Sequence, residues 1–387
     1  MNYLQGVTVL DLSMLLPGPL CSMHLANMGA RVIKIENPKI GDGSRYMGGK
    51  LPDGNTGIFQ QLNSGKESIT LNIKRPGGQK LFRQLVAQAD VVLEGYRPGT
   101  MTQLGIGYED LIKENEKIIY CAISGYGSIG TNSSHAGHDA NFISLSGILF
   151  HNRRADGLPA LPGIQIGDIL GGSYTALSAI LAALFAREKT GKGDFLDISM
   201  ADSSLSLLAL AVGELAASNR EEKPGQGMLT GGLVNYDCYE VAESRYIMVG
   251  ALEDRFFQNF LKQLDEKSFS QLWKNKSLSN EDFKEKLTVY LKTKSYADLE
   301  PIFNNPDCCV TPVLNIQEAI NHPHFNAKGL IKKFQGEKFL GSPFPGSDFD
   351  NEMTAAPQHG ENSDQVYQEL LKLTPSQLQE YRQGRII

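Results

Sequence analysis

The sequence predicts an α/β fold: a parallel sheet with helices on both faces, followed by a smaller α+β unit. Three observations carry that expectation. Short β-branched runs alternate with amphipathic, helix-length segments from residue 7 to residue 200, the pattern of repeated βαβ units. Prolines open several helical segments and glycines close others, as helix termini favour. At residues 219–232 (NREEKPGQGMLTGG) the composition turns polar and glycine-rich, which marks a linker. A chain of 387 residues is also too long for one ordinary hydrophobic core.

Taken in order, residues 7–12 (VTVLDL) read as a buried strand. Pro17-Gly18-Pro19 opens a helix to about Asn27, and Gly29 closes it. Strands are expected at 31–36, 68–73, 91–96 and 118–124, with helices at 76–88 and 109–115 between them. Helices follow at 140–150 and 168–187, then a strand at 195–200 and a further helix to about Ser218. Beyond the linker, 236–241 and 245–252 alternate like a hairpin, and 254–264, 281–291 and 296–304 are helical. From about Asn315 the chain is irregular and dotted with proline, and a last helix near 363–371 packs back on the first domain. The expected organisation is a large Rossmann-like α/β domain over 1–218, the linker, a small α+β domain over 233–314, and a return segment over 315–387.

Composition excludes several classes. The net charge is −6, so no basic field favours nucleic acid or an anionic membrane. No run of eighteen apolar residues suggests a membrane span. Five cysteines without framework spacing read as reduced thiols. With no signal ahead of the first strand, a cytoplasmic location is expected. Seven histidines form no zinc motif, and neither a GxSxG nor a Walker A motif occurs. Gly125–Gly130 is a formal GxGxxG after a strand. Neither the following helix nor the acidic residue of a dinucleotide site accompanies it, so a glycine-rich turn beside a site is the better reading.

In the stretch from Gly137 to Gly172 an imidazole, His138, and a carboxylate, Asp168, stand thirty residues apart. Each stands where a helix is expected to begin. Histidine has the side chain whose free pKa lies near neutrality, which suits acid/base work, though a capping histidine would occupy the same place. Asp139 reads as the helix N-cap. Asp168 is either an N-cap or a catalytic carboxylate; N–H groups around it and around Gly137 are candidates for holding an oxyanion. Gly171 and Gly172 are poor helix formers, which suggests a steric reason for them. Glu253 ends a strand just before a helix. Arg97, and Lys74 with Arg75, sit after strands, at the sheet edge where ligands bind; they suit a phosphate or are solvated surface charge.

Seven tracts then carry a resemblance: LPGPLCSMHLANMGARVIKIE, LEGYRPGTMTQLGIGYEDL, ISGYGSIG, AGHDANFISLSG, GDILGGS, REKTGKGDFLDISMAD and PQHGENSDQV. In this order they resemble the class III CoA-transferase superfamily, and within it the α-methylacyl-CoA racemase branch. The resemblance spans nearly the whole chain. The racemase branch is marked by a His-Asp pair after glycine, here Gly137-His138-Asp139, where the transferases usually carry an aromatic residue. It is marked also by an aspartate thirty residues on, here Asp168, and by a glutamate after a VGxxE strand, here Glu253. The resemblance implies that His138 and Asp168 invert Cα of a 2-methylacyl-CoA, with Glu253 contacting the histidine. It implies no cofactor beyond the CoA moiety. The CoA segments would be Leu71, Asn72, Ile73 and Lys74; Gly95, Tyr96 and Arg97; and Gly137, His138, Asp139, Ala140, Asn141 and Phe142. Two arginines that hold CoA in some racemases fall at Asn37 and Gln103, so phosphate contacts would shift to Lys34, Lys39, Lys74 or Arg97. The resemblance further implies an interlocked homodimer in which Glu253 reaches the opposite subunit's site. The alternative chemistry is CoA transfer through a thioester on Asp168.

Overall fold

The computed structural model describes residues 2–153, 157–264, 267–344 and 352–387. The chain divides into two compact units. The first combines Met1–Ile148, Pro162–Leu208 and His322–Ile387; the second combines Leu149–Leu161 and Ala209–Asn321. The helix Ala209–Ser218, read with the first domain from sequence, thus groups with the second.

The first unit is built on six parallel strands: β1 (Thr8–Asp11), β2 (Arg31–Glu36), β3 (Glu67–Thr70), β4 (Val91–Glu94), β5 (Ile119–Ser124) and β6 (Asp194–Ser199). Their order is β3-β2-β1-β4-β5-β6, that of a doubly wound sheet. Alternate residues serve opposite faces. Leu10, Ile33 and Val92 join one core with Leu81, Phe82 and Leu85 of the helix Pro76–Val86. Val9, Val32, Val91 and Leu93 join another with Leu25, Leu177 and Ile180. Burial on both faces explains the near-continuous apolar runs of β1, β2 and β4.

The return segment closes the β3 edge. Asn362 Oδ1 accepts from the Ser68 N–H at 2.9 Å and Ser363 Oγ from the Thr70 N–H at 3.1 Å. The helix Ser363–Leu371 buries Val366 and Tyr367 in the first core, as expected for a return helix. The rest of that segment is less irregular than the sequence suggested. A hairpin of β10 (Ile331–Phe334) and β11 (Glu337–Leu340) turns at Gln335-Gly336, both with positive φ. That is the two-residue turn that suits strand twist.

Residues Gly167–Thr190 form one helical stretch, long and apolar enough by length and composition to cross a bilayer. This corrects the expectation from sequence that no such run exists. In the fold its Ala176, Leu177, Ile180 and Leu184 pack into the second core of the sheet.

The second unit holds an antiparallel sheet of β7 (Tyr236–Val241), β8 (Arg245–Gly250) and β9 (Val310–Pro312). The expected hairpin is β7 and β8; β9 and the helix Lys267–Lys274 were not foreseen. Phe257, Phe260 and Leu261 of the helix Asp254–Gln263 pack with Phe283 and Leu287 beneath the sheet.

Candidate active site

A cleft of about 360 Å³ lies in the first unit, where loops leave the C-terminal ends of β1, β4 and β5. In the order β3-β2-β1-β4-β5-β6, the step between β1 and β4 is the point where the winding reverses. Open parallel sheets hold ligands in that crevice. Ser13, Met14, Leu15, Pro17 and Gly18 form one wall; Gly95, Tyr96, Arg97 and Pro98 follow β4. Gly125 and Tyr126 follow β5, and Gly137, His138, Phe142 and Asp168 complete the lining. The cleft therefore brings together His138 and Asp168, as the sequence suggested.

His138 is the N-cap residue of the helix Asp139–Leu145, with φ −131° and ψ 174°. Asn141 Oδ1 accepts from the His138 N–H at 3.0 Å, which ties down the backbone and leaves the ring exposed. Gly137 has no room for a side chain: a Cβ there would lie 2.7 Å from the Phe142 ring and 3.0 Å from the Tyr126 hydroxyl.

Asp139 is not the N-cap but the first helical residue, and its carboxylate does different work. Asp139 Oδ1 accepts from the Asp168 N–H at 3.0 Å. Two chain segments twenty-nine residues apart are stapled there. The staple also corrects an expectation. The Asp168 N–H is occupied and does not serve as an oxyanion donor, whereas the Gly137 N–H has no partner among the described residues.

Nor does Asp168 cap an α-helix. It is the second residue of a π-helical turn, Gly167–Tyr174, that runs straight into the helix Thr175–Thr190. Wide turns of this kind recur at functional sites, because the extra residue re-aims a side chain. Neighbours crowd the turn closely. A Cβ at Gly171 would stand 2.6 Å from the Met200 carbonyl, and one at Gly172 2.9 Å from Pro17. That is the steric reason for two glycines in a helix. Burial pushes the Asp168 carboxyl up to about 6, the Asp139 carboxylate adds to the shift, and His138 opposes it. Raised pKa values in clefts point to acid/base function.

The CoA-binding expectations divide. Gly95, Tyr96, Arg97, Gly137 and Phe142 line the cleft, and Arg97 is exposed. Ala140 and Asn141 lie on the first turn of the helix behind His138. Leu71 and Ile73 are buried in the first core, and the Asn72 N–H donates to the Ile386 carbonyl at 2.7 Å, so that segment is structural. Lys74 and Lys39 are exposed. Lys34 is overturned as a phosphate ligand: its side chain is 0% exposed and paired with Asp42 Oδ2 at 2.7 Å. Glu253 belongs to the second unit, exposed at the N-cap of the helix Asp254–Gln263.

The GxGxxG tract is a tied turn. The Gly127 N–H donates to Ser124 Oγ at 3.0 Å and the Ser128 N–H to Asp197 Oδ2 at 2.8 Å. What sequence reasoning missed is the wall after β1. Pro17-Gly18-Pro19 at a strand's C-terminal end was the available signal, and it was spent on the helix start alone.

The model of the family described as CoA-transferase family III matches residues 4–363. The chain is 35% identical over 343 residues to an alpha-methylacyl-CoA racemase of Homo sapiens, covering 88% of this chain and 86% of that one. It is 37% identical over 262 residues to a succinyl-CoA:glutarate CoA-transferase of Homo sapiens, covering 68% and 59%. The fold matches a CAIB/BAIF family protein from Brucella suis with a TM-score of 0.81 and 28% identity, over 95% of this chain and 98% of that one.

Proposed function

The chain belongs to CoA-transferase family III, and on that premise we propose that it inverts Cα of 2-methylacyl-CoA thioesters by 1,1-proton transfer. One observation carries the reading: an imidazole, His138, and a carboxyl held up to about 6, Asp168, line one cleft. Inversion needs a base on one face of Cα and an acid on the other. In one direction neutral His138 removes the proton and protonated Asp168 returns one; in the other, the Asp168 carboxylate takes it and the imidazolium returns it. Both starting states hold a single proton between the pair. The carbonyl of the thioester stabilises the carbanion as an enolate, and the Gly137 N–H is a donor for the oxyanion. Each acid/base group contributes roughly 10²–10⁴-fold. Arg97, exposed at the cleft, suits a CoA phosphate and would help position the thioester.

The reading includes a homodimer in which Glu253 approaches the site of the opposite subunit. Its support is the helix Ala209–Ser218, which buries no residue and leaves Leu210 78% exposed. Apolar helices of this kind are what a subunit interface covers.

The test is α-proton exchange. The purified protein is given one enantiomer of a 2-methylacyl-CoA in D₂O, and deuterium at Cα and optical purity are followed together. Deuterium uptake with loss of optical purity, both abolished in His138→Ala, is the expected result. A second reading, CoA transfer through Asp168, draws on the likeness to the succinyl-CoA:glutarate CoA-transferase. It takes over if no exchange occurs and CoA passes instead to an added carboxylic acid.

A further inference from the structure

The wall after β1 contains a backbone that does not hold itself. Leu15 has φ 66°, a left-handed conformation that is strained for a non-glycine residue and persists only where surroundings over-determine it. Two buried side chains supply that constraint. Asp42 Oδ1 accepts from the Leu15 N–H at 3.1 Å. Lys34 Nζ donates to the Ser13 carbonyl at 3.0 Å and pairs with Asp42 Oδ2 at 2.7 Å. One ion pair thus grips the turn on both sides of Met14, whose own N–H has no partner among the described residues. From below, Asp11 Oδ1 accepts from the Ser13 N–H at 2.9 Å and also from the Ser13 hydroxyl. Ser13, Met14 and Leu15 line the same cleft as His138 and Asp168.

We propose that Lys34 and Asp42 are positioning residues: their ion pair holds the Ser13–Leu15 turn in the conformation against which the thioester is placed for reaction. The proposal rests on the acyl-CoA reading of the cleft. A fully buried pair is a costly way to gain stability, since apolar residues of similar volume often do as well. Asp42 Oδ1 also caps the turn Gly43–Tyr46 by accepting from the Ser44 N–H at 2.8 Å, but that needs no lysine; the ion pair's retention is explained by the two backbone groups it binds on either side of the exposed Met14. Both side chains are fully buried, so the pair's effect passes through the turn.

The test separates positioning from stability. Lys34→Met alone leaves the Asp42 carboxylate buried without its partner and is expected to destabilise the fold. The double variant Lys34→Met/Asp42→Leu removes both charges with side chains of similar shape; it is expected to melt above Lys34→Met but below the wild type, because the Leu15 and Ser44 N–H groups lose their acceptor. Its kcat for α-proton exchange per folded molecule should fall by about 10²-fold, with KM for the acyl-CoA changing by less than about threefold. A folded double variant with wild-type kcat overturns the proposal. Independently, amide exchange in the wild-type chain should show the Leu15 N–H protected to the level of the β1 amides. Exchange as fast as that of an exposed loop overturns the proposal even if the double variant fails to fold. If the wild-type chain neither exchanges the α-proton nor moves CoA, the functional reading fails. The amide measurement still decides whether the pair holds the turn.

Discussion

The wall of the cleft that follows β1 and the wall running from Gly137 to Asp168 both contain charge away from water, and they use it differently. Behind the β1 wall every charge is matched. Lys34 meets Asp42, and Lys66 Nζ meets Asp11, Ser22 Oγ at 2.7 Å and Asn63 Oδ1 at 2.9 Å. Asp42 is held down at about 2 by Lys34 and backbone donors despite its burial. On the opposite wall Asp168 has no such cation among the described residues and stands next to a second carboxylate, Asp139. Its carboxyl is pushed up to about 6. Paired charge locks a backbone, whereas a partly buried carboxyl short of a full partner keeps a proton available near neutral pH. On the proposed reading, the difference between the walls is one between positioning and chemistry.

The comparison can be broken most directly at Asp168. Asp168→Asn should lower α-proton exchange by about 10²–10⁴-fold while leaving the melting temperature unchanged or higher, because a poorly solvated carboxyl is gone. A loss of fold with the loss of activity would place Asp168 among the structural charges instead. A stopped assay in D₂O beside a thermal melt reads both.

Glu94 offers the next largest effect, because it is a buried carboxyl with no cation beside it among the described residues. It accepts from the Tyr96 N–H at 2.6 Å, and burial pushes it up to about 7 from an ordinary 4.5. A raised acid pKa means that the folded state binds more protons than the unfolded one. Its stabilisation is full below pH 4.5 and is lost as the pH rises through 7. Stability should thus decline across that window by on the order of 3 kcal/mol. Glu94→Gln should flatten the decline, read by denaturant melts from pH 4 to pH 8. An unchanged slope would mean that the carboxyl is better solvated than its burial indicates.

A smaller effect is expected at Gly171, where the π-turn meets Met200. Gly171→Ala places a methyl 2.6 Å from a carbonyl oxygen and should cost about 1–3 kcal/mol by overpacking. Activity should fall more than stability if the turn aims Asp168; equal losses would reduce the glycine to packing.

The finest test sharpens the electrostatics of one wall. Both productive states of the pair share one proton, so the pH–rate profile should be a bell common to both enantiomers. Its acid limb should lie near 6, where the pair takes its second proton, on Asp168. Asp139→Asn keeps an acceptor for the Asp168 N–H and removes the repelling charge. The acid limb should then move to lower pH, and a limb that stays in place would show that burial alone sets Asp168.

Much of the architecture was legible in the chain. The β-branched runs at 31–36 and 118–124 are strands within one residue of the expected bounds, and the return helix at 363–371 lies where it was read. Short elements were not: β9 has three residues and Lys267–Lys274 eight, too few for periodicity to register. Within the site, His138 and Asp168 were legible because glycines flank rare polar residues beside apolar helices. Lys34 misled, since a lysine in RVIKIE counts among the cations for a CoA phosphate until Asp42 is found paired with it.

By itself the sequence determined the sheet, because alternate residues of β1, β2 and β4 are apolar on both faces and only a two-sided sheet buries them. It marked His138 and Asp168 as candidates for proton exchange, because each follows a glycine where an apolar helix begins. Only the tertiary structure decided what each charge does. A carboxylate or an ammonium has no assigned role until its neighbours set its cost of burial. Those neighbours, Asp42 for Lys34 and Asp139 for Asp168, come from other turns of the chain.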